Sequence, residues 1–309
     1  MKELYEAFDQ ISRSVGEKIE AWIPAYEAID RLFFKLDQGT RDRLTTEFWF
    51  FSNQFGPDNS LGTPQAKGWV RHWFSLLRQG EKAPFAEYAT RNCDGFNFVV
   101  EGGENLVDKP GIYVSNHPCG PMLGTWYVYA IDYAIFTKFK SLDFVPRRFV
   151  NEFSESYLLG ETPLRHLKER ACQMMAHSTN GILIKRDRST FSQVLIEGLS
   201  HLESGGSLAA CFETQNSNRL TRPRKGMGGF LRLISKDGHF PIIPVGCWKE
   251  GDNLNVNFGG PVDIKGFLES LPAEIPDKIR SQRTIDYVVA HVASLLPEEN
   301  RGVYKKFVR

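Results

Sequence analysis

The residues best suited to chemistry lie in Gly111-Ile112-Tyr113-Val114-Ser115-Asn116-His117-Pro118-Cys119-Gly120-Pro121. The apolar run Ile112 to Val114 stops at Ser-Asn-His, and a long apolar pattern resumes near Met122 after Pro118, Gly120 and Pro121. That order predicts a buried strand, a tight turn and a new helix, with a histidine on the turn. Imidazole titrates nearest neutrality, so a histidine held there can move protons as a general base. It can equally serve only to hydrogen-bond a neighbouring loop. Asn116 adjoins it as a candidate binding residue. Cys119, two residues on, offers a second chemistry as a thiol nucleophile.

Two further apolar runs end in polar clusters. Gly181 to Ile184 leads into Lys185-Arg186-Asp187-Arg188. Cations at a strand end face the crevice where open α/β sheets bind ligands, and Arg clasps phosphate bidentately while Lys adds a point charge. A solvated charge run with Asp187 as partner is the other reading. Gly205-Gly206-Ser207 opens a second run that ends at Glu213, followed by the polar Thr214-Gln215-Asn216-Ser217. Arg219, Arg222, Arg224 and Lys225 then precede the glycine-rich start Gly226-Met227-Gly228-Gly229. Cations before such a helix start can hold an anion together with its backbone N–H groups. The candidate ligand contacts are therefore Lys185, Arg186, Arg188, Thr214, Arg219, Arg224 and Lys225. His117, Arg186 and Glu213 are expected to share one crevice, with the later cations at its rim.

These residues need a scaffold, and the periodicity supplies one. From about residue 95, apolar runs bounded by Gly, Pro, Asn and Asp alternate with helical patterns. Strands are expected at 96–100, 111–114, 181–184, 207–212, 242–245 and 254–258. Helices are expected at 122–136, 163–177, 191–203, 227–236 and 284–296. This alternation implies an α/β fold with a mainly parallel sheet and helices on both faces. Before it, residues 1–85 read as an N-terminal helical domain, with apolar residues at helical spacing from Leu4 to Leu36 and a Phe48-Trp49-Phe50-Phe51 cluster. Residues 86–309 form the α/β domain.

Bulk properties narrow the class. The 309 residues carry 38 Lys+Arg against 37 Asp+Glu, a net charge of +1, so no global field draws the chain to nucleic acid. Five dispersed cysteines without a Cys-x-x-Cys pair suggest reduced thiols and argue against a zinc site. The first residues carry acids early and lack an apolar core segment, so a secretory signal is not expected there. No run approaches the ~18 apolar residues of a spanning helix. The chain is expected in the cytoplasm, at most peripheral at the inner membrane surface, with no metal or cofactor.

In this order, the blocks resemble the glycerol-3-phosphate and lysophospholipid acyltransferase family over about residues 95 to 265. Ser115-Asn116-His117 is similar to the start of its first block, Gly181 to Arg186 to its second, and Gly205-Gly206-Ser207 with Cys211 to Ser217 to its third. Lys225-Gly226 and Ile243-Pro244-Val245 are similar to later elements. The resemblance implies a fatty acyl group moved from acyl-CoA or acyl carrier protein to a hydroxyl or amine, with a glycerol phosphate or lysophospholipid as acceptor. It implies His117 as base and places Glu213 on the family's Glu. The family's orienting Asp is replaced, since Met122 and Leu123 stand five and six residues after His117. Asp132 would lie roughly 15 Å along the helix. A backbone carbonyl or a distant carboxylate, Glu213 first, is therefore expected within hydrogen-bond reach of an imidazole nitrogen. Two alternatives stand beside acyl transfer. One is a catalytically silent acyl- or partner-binding protein, and the other a Cys119-dependent acyl-cysteine or thioesterase chemistry.

Overall fold

The computed structural model describes residues 35–37, 39–40, 97–118, 126–151, 176, 181–184, 188–213, 217–223, 227–235 and 240–308. Nearly all of the expected N-terminal helical unit and the helix at 163–177 lie outside them. The strands are β1 (Asn97–Glu101), β2 (Ile112–Ser115), β3 (Arg147–Asn151), β4 (Ile182–Ile184), β5 (Leu208–Cys211), β6 (Ile242–Glu250) and β7 (Asn253–Phe258). The helices used below are α1 (Trp126–Phe139), α2 (Arg188–Glu203), α3 (Met227–Ser235), α4 (Ile264–Ser270) and α5 (Asp277–Ser294).

The seven strands form one sheet in the order β1-β7-β6-β2-β5-β3-β4. Strands β6, β2, β5, β3 and β4 run parallel, while β7 is antiparallel to β6 and carries β1 parallel to itself. Alternating side chains divide between the two faces. Ile112, Val114, Leu208, Ala210 and Ile242 pack with apolar residues of α2, α3 and α5. Tyr113, Ala209, Ile243 and Val245 pack on the other face against Trp126, Ala130, Ile131 and Ile135 of α1. The fold is thus α/β, with a mostly parallel sheet covered on both faces. None of the described helices is long and apolar enough to cross a membrane.

Three elements differ from the sequence reading. Strand β3 starts Arg147-Arg148, which hid it from a pattern search for apolar runs. Arg148 joins the sheet because it has a buried partner: Nη1 donates to Asp132 Oδ2 at 3.0 Å, and Nη2 donates to Asp132 Oδ1 and to Val128 O at 3.1 Å. Burial raises the Asp132 pKa, and the Arg148 charge pulls it back. Strand β6 continues to Glu250, because the two-residue turn Gly251-Asp252 folds β7 back along it, with Glu250 opposite Asn253. Gly251 takes φ +59° there. Helix α5 begins at Asp277, seven residues before the expected start, since its charged first turns lack an apolar stripe.

Two motif glycines are explained by packing. Gly206 precedes β5 at the amino edge of the parallel strands, opposite His117, and a Cβ there would lie 2.1 Å from the His201 ring. Gly228 lets α3 lie directly on α5, where a Cβ would sit 1.8 Å from the Ser281 carbonyl oxygen. The Ser281 carbonyl belongs to the α5 backbone, so it cannot yield alone, whereas the His201 ring is a side chain that can turn aside. Gly228→Ala is expected to cost about 1–3 kcal/mol in urea unfolding, as overpacked sites do. A change below about 0.5 kcal/mol, the range of neutral surface substitutions, would show that the two helices separate freely.

Candidate functional site

At the carboxyl edge of the parallel strands, β2 and β5 lie side by side, with Ser115 opposite Cys211. The chain continues past Ser115 into Asn116 and His117, and past Cys211 into Phe212 and Glu213. This edge is where open α/β sheets place their ligands.

Asn116 is 5% exposed. Its Nδ2 donates to Cys247 O at 2.7 Å and its Oδ1 accepts from Cys247 N at 2.8 Å. The side-chain amide thus imitates one more rung of the β2–β6 ladder. It fixes the path of the chain just before His117.

Glu213 is 8% exposed and fastens the next residue. Its Oε2 accepts from the His117 backbone N–H at 2.6 Å, while Oε1 accepts from Thr221 N at 2.8 Å and Thr221 Oγ1 at 3.2 Å. The His117 carbonyl accepts from Ser217 N at 2.9 Å. The strand ends and residues 217–221 are therefore tied into one knot around His117. Burial raises the Glu213 pKa, and the bonds from Thr221 and His117 oppose that rise.

The expectation that Glu213 would meet an imidazole nitrogen is corrected. The carboxylate takes the main-chain N–H of His117, two residues beyond the end of β2. His117 Nδ1 is buried without a hydrogen-bond partner among the described residues. The ring packs instead against Tyr127 of α1, with centroids 5.2 Å apart and planes tilted by 57°. Burial lowers the His117 pKa to about 4, so the imidazole is neutral at pH 7. Tyr127 carried no signal in sequence, being one aromatic residue in an apolar helix. Asp132 does not substitute for the missing Asp, because Arg148 holds it.

The other candidates divide plainly. Arg219 is exposed on the 217–223 loop, with its backbone N–H donated to Ser217 Oγ at 3.1 Å. Arg222 turns outward, 3.8 Å from Asp286. Strand β4 runs parallel to β3, so the chain leaves Ile184 toward the carboxyl edge. Lys185, Arg186, Cys119, Thr214, Arg224 and Lys225 lie outside the described residues, and only the backbone of Arg188, which opens α2, is described. Cys247 is a buried thiol, and burial raises its pKa far above the usual range. It is thereby unsuited to nucleophilic attack. Among the described residues, no three His, Cys, Asp or Glu side chains converge as metal ligands.

No family model matches the chain, and no curated protein matches it. Among solved structures, it is similar to the 1-acyl-sn-glycerophosphate (LPA) acyltransferase PlsC from Thermotoga maritima. Identity is 20%, coverage is 81% of this chain and 93% of that one, and the TM-score is 0.39. A likeness of that size assigns no activity.

Proposed function

We propose that the chain is an acyltransferase in which His117 acts as general base. The supporting observation is a neutral imidazole at the carboxyl edge of a parallel sheet, its backbone held from both sides by Glu213 and Ser217. His117 as a residue is partly exposed. In the proposed step it takes the proton of an acceptor hydroxyl or amine as that group attacks the carbonyl of an acyl thioester. The tetrahedral oxyanion collapses, the C–S bond breaks, and the imidazolium returns its proton to the departing thiolate.

The donor proposed is acyl-CoA or acyl carrier protein. The acceptor is a hydroxyl or amine, with a glycerol phosphate or lysophospholipid first, met at the membrane surface in the cytoplasm. The cations Lys185, Arg186, Arg188, Arg219, Arg224 and Lys225 are assigned to acceptor or donor phosphates, with Thr214 beside them. Asn116 and Glu213 serve in this reading as positioning residues. With no carboxylate among the described residues on Nδ1, the imidazolium is poorly stabilised and the base is weak, so transfer depends on a reactive thioester donor.

One observation favours a silent binding protein instead, namely that Nδ1 has no partner among the described residues and Glu213 is consumed by its contacts with His117 and Thr221. A panel of acyl-CoA and acyl carrier protein thioesters, followed by thiol release with and without added acceptors, separates the readings. Acyl transfer requires at least one donor–acceptor pair to raise release about tenfold or more over either alone, the low end of general-base effects. If thiol is released neither with nor without acceptors, the silent-binder reading replaces acyl transfer. Release that needs no acceptor and disappears in Cys119→Ser would assign the chemistry to the thiol.

A further inference from the structure

A groove of about 870 Å³ lies between α4, α5 and the C-terminal turn Gly302–Phe307. It shares no lining residue with the His117 site. The 217–223 loop is the partition between them. Thr221 faces Glu213, while Arg222 points into the groove. The same loop is stitched to the groove wall through Leu220 N–H to Asn300 O at 2.9 Å and Val303 N–H to Leu220 O at 3.2 Å.

Two features of this groove are left unexplained by the fold. The first is apolar. Phe267 and Tyr287 stack with centroids 4.1 Å apart along the wall, and Val303 and Phe307 stand 55% and 63% exposed beside them. The second is charge. Arg222, Arg283 and Lys306 line the groove against a single carboxylate, Asp286. That carboxylate is already engaged, since its Oδ1 accepts from Tyr304 Oη at 2.7 Å and from Gln282 Nε2 at 3.2 Å, and its Oδ2 lies 3.8 Å from Arg222. Arg283 and Lys306 make no ion pair among the described residues, and both are exposed.

We infer that this groove binds a free single-chain amphiphile with a carboxylate head, the chain lying along Phe267, Tyr287 and Phe307 and the head meeting Arg283 and Lys306. The volume lies within the about 300–1,000 Å³ of small-molecule sites, and the aromatic surface is the wall of a concavity. That shape suits one chain better than the face of a bilayer. The cationic excess selects an anion over a neutral or cationic amphiphile of the same length. This inference does not rest on acyl transfer at His117, and its test reads binding alone.

The test is calorimetric titration of the full chain with laurate below its micelle concentration. Hexanoate, dodecyltrimethylammonium and phosphatidylglycerol vesicles serve as comparisons. Laurate is expected to bind, and hexanoate at least about 100-fold more weakly, since each buried methylene contributes to affinity. Dodecyltrimethylammonium is expected to bind about tenfold or more weaker than laurate, for want of the charge-assisted contact. The surface variants Arg283→Gln with Lys306→Gln, and separately Phe307→Asp, should each weaken laurate by about tenfold or more. These positions are exposed, and an unchanged circular dichroism spectrum verifies that both variants fold. His117→Ala should bind laurate like the parent. Any of four results overturns the inference: no laurate binding, equal binding by both groove variants, equal affinity for the cationic detergent, or loss of binding in His117→Ala. Association with vesicles but not with monomeric laurate also overturns it, and would make the groove part of a membrane-facing surface.

Discussion

His117→Ala is expected to lower acceptor-dependent thiol release by about 10²–10⁴-fold, the range that general-base catalysis contributes. The parent's pH profile carries a signature of the same residue. A general base acts in its neutral form, and burial lowers the His117 pKa to about 4. Because the folded value lies below the ordinary one, kcat/KM is expected to stay flat from neutral pH down to about 5. It should then fall as pH passes through about 4. An inflection near 6.5, the ordinary value for a histidine, would show an imidazole open to solvent. Retention of the parent rate in His117→Ala would remove the base assignment altogether.

Stability follows the same linkage. Between about 4 and 6.5 the unfolded chain binds a proton at His117 that the folded chain does not, so stability rises with pH across that window. The contribution is fully present above 6.5 and is lost as pH falls through the folded value. Its size is at most about 3 kcal/mol, less to the extent that the half-buried ring is screened by solvent. Glu213 and Asp132 have raised values, so they act in the opposite direction and cancel in the difference between the parent and His117→Gln. Urea midpoints for both proteins at pH 7 and pH 4.5 give that difference. No narrowing of the gap on acidification would mean that His117 is not desolvated.

Glu213→Ala is expected to destabilise the fold by about 3–5 kcal/mol, as removing one member of a buried charged network does. Three donors lose their acceptor at once: the His117 N–H, the Thr221 N–H and the Thr221 hydroxyl. Glu213→Gln keeps one carbonyl oxygen but sets an amide N–H against one of these donors, so it should fall between Ala and the parent. Thr221→Val removes only the longest of the three bonds and should cost about 0.5–1.5 kcal/mol. Urea unfolding of the three variants tests the order Ala, Gln, Val from largest to smallest loss. If Glu213→Ala unfolds within about 1 kcal/mol of the parent, below the cost of one orphaned buried donor, while acyl transfer disappears, then Glu213 acts on the reacting atoms rather than as a clamp.

The sequence by itself determined where β2 and β5 end. Apolar runs that stop at Asn116-His117 and at Glu213 coincide with the ends of β2 and β5, because burial on both faces demands continuous apolar residues and release into the crevice permits polar ones. The alternation of these runs with helical patterns sufficed for a mostly parallel α/β sheet, since parallel neighbours need crossovers that cover both faces. Neighbours distant in the chain decided the rest. Arg148 belongs to a strand only because Asp132 waits under the sheet, and β6 runs on to Glu250 only because β7 returns beside it. Asn116 finds its partner in Cys247, 131 residues away. The carboxylate of Glu213 settles on the His117 backbone, and the ring nitrogen Nδ1 meets no hydrogen-bond partner among the described residues, the ring packing on Tyr127. Local pattern reports which residues are buried. It does not report which donor meets which acceptor, or how much water a ring nitrogen retains, because both depend on surfaces that exist only once the helices have closed on the sheet.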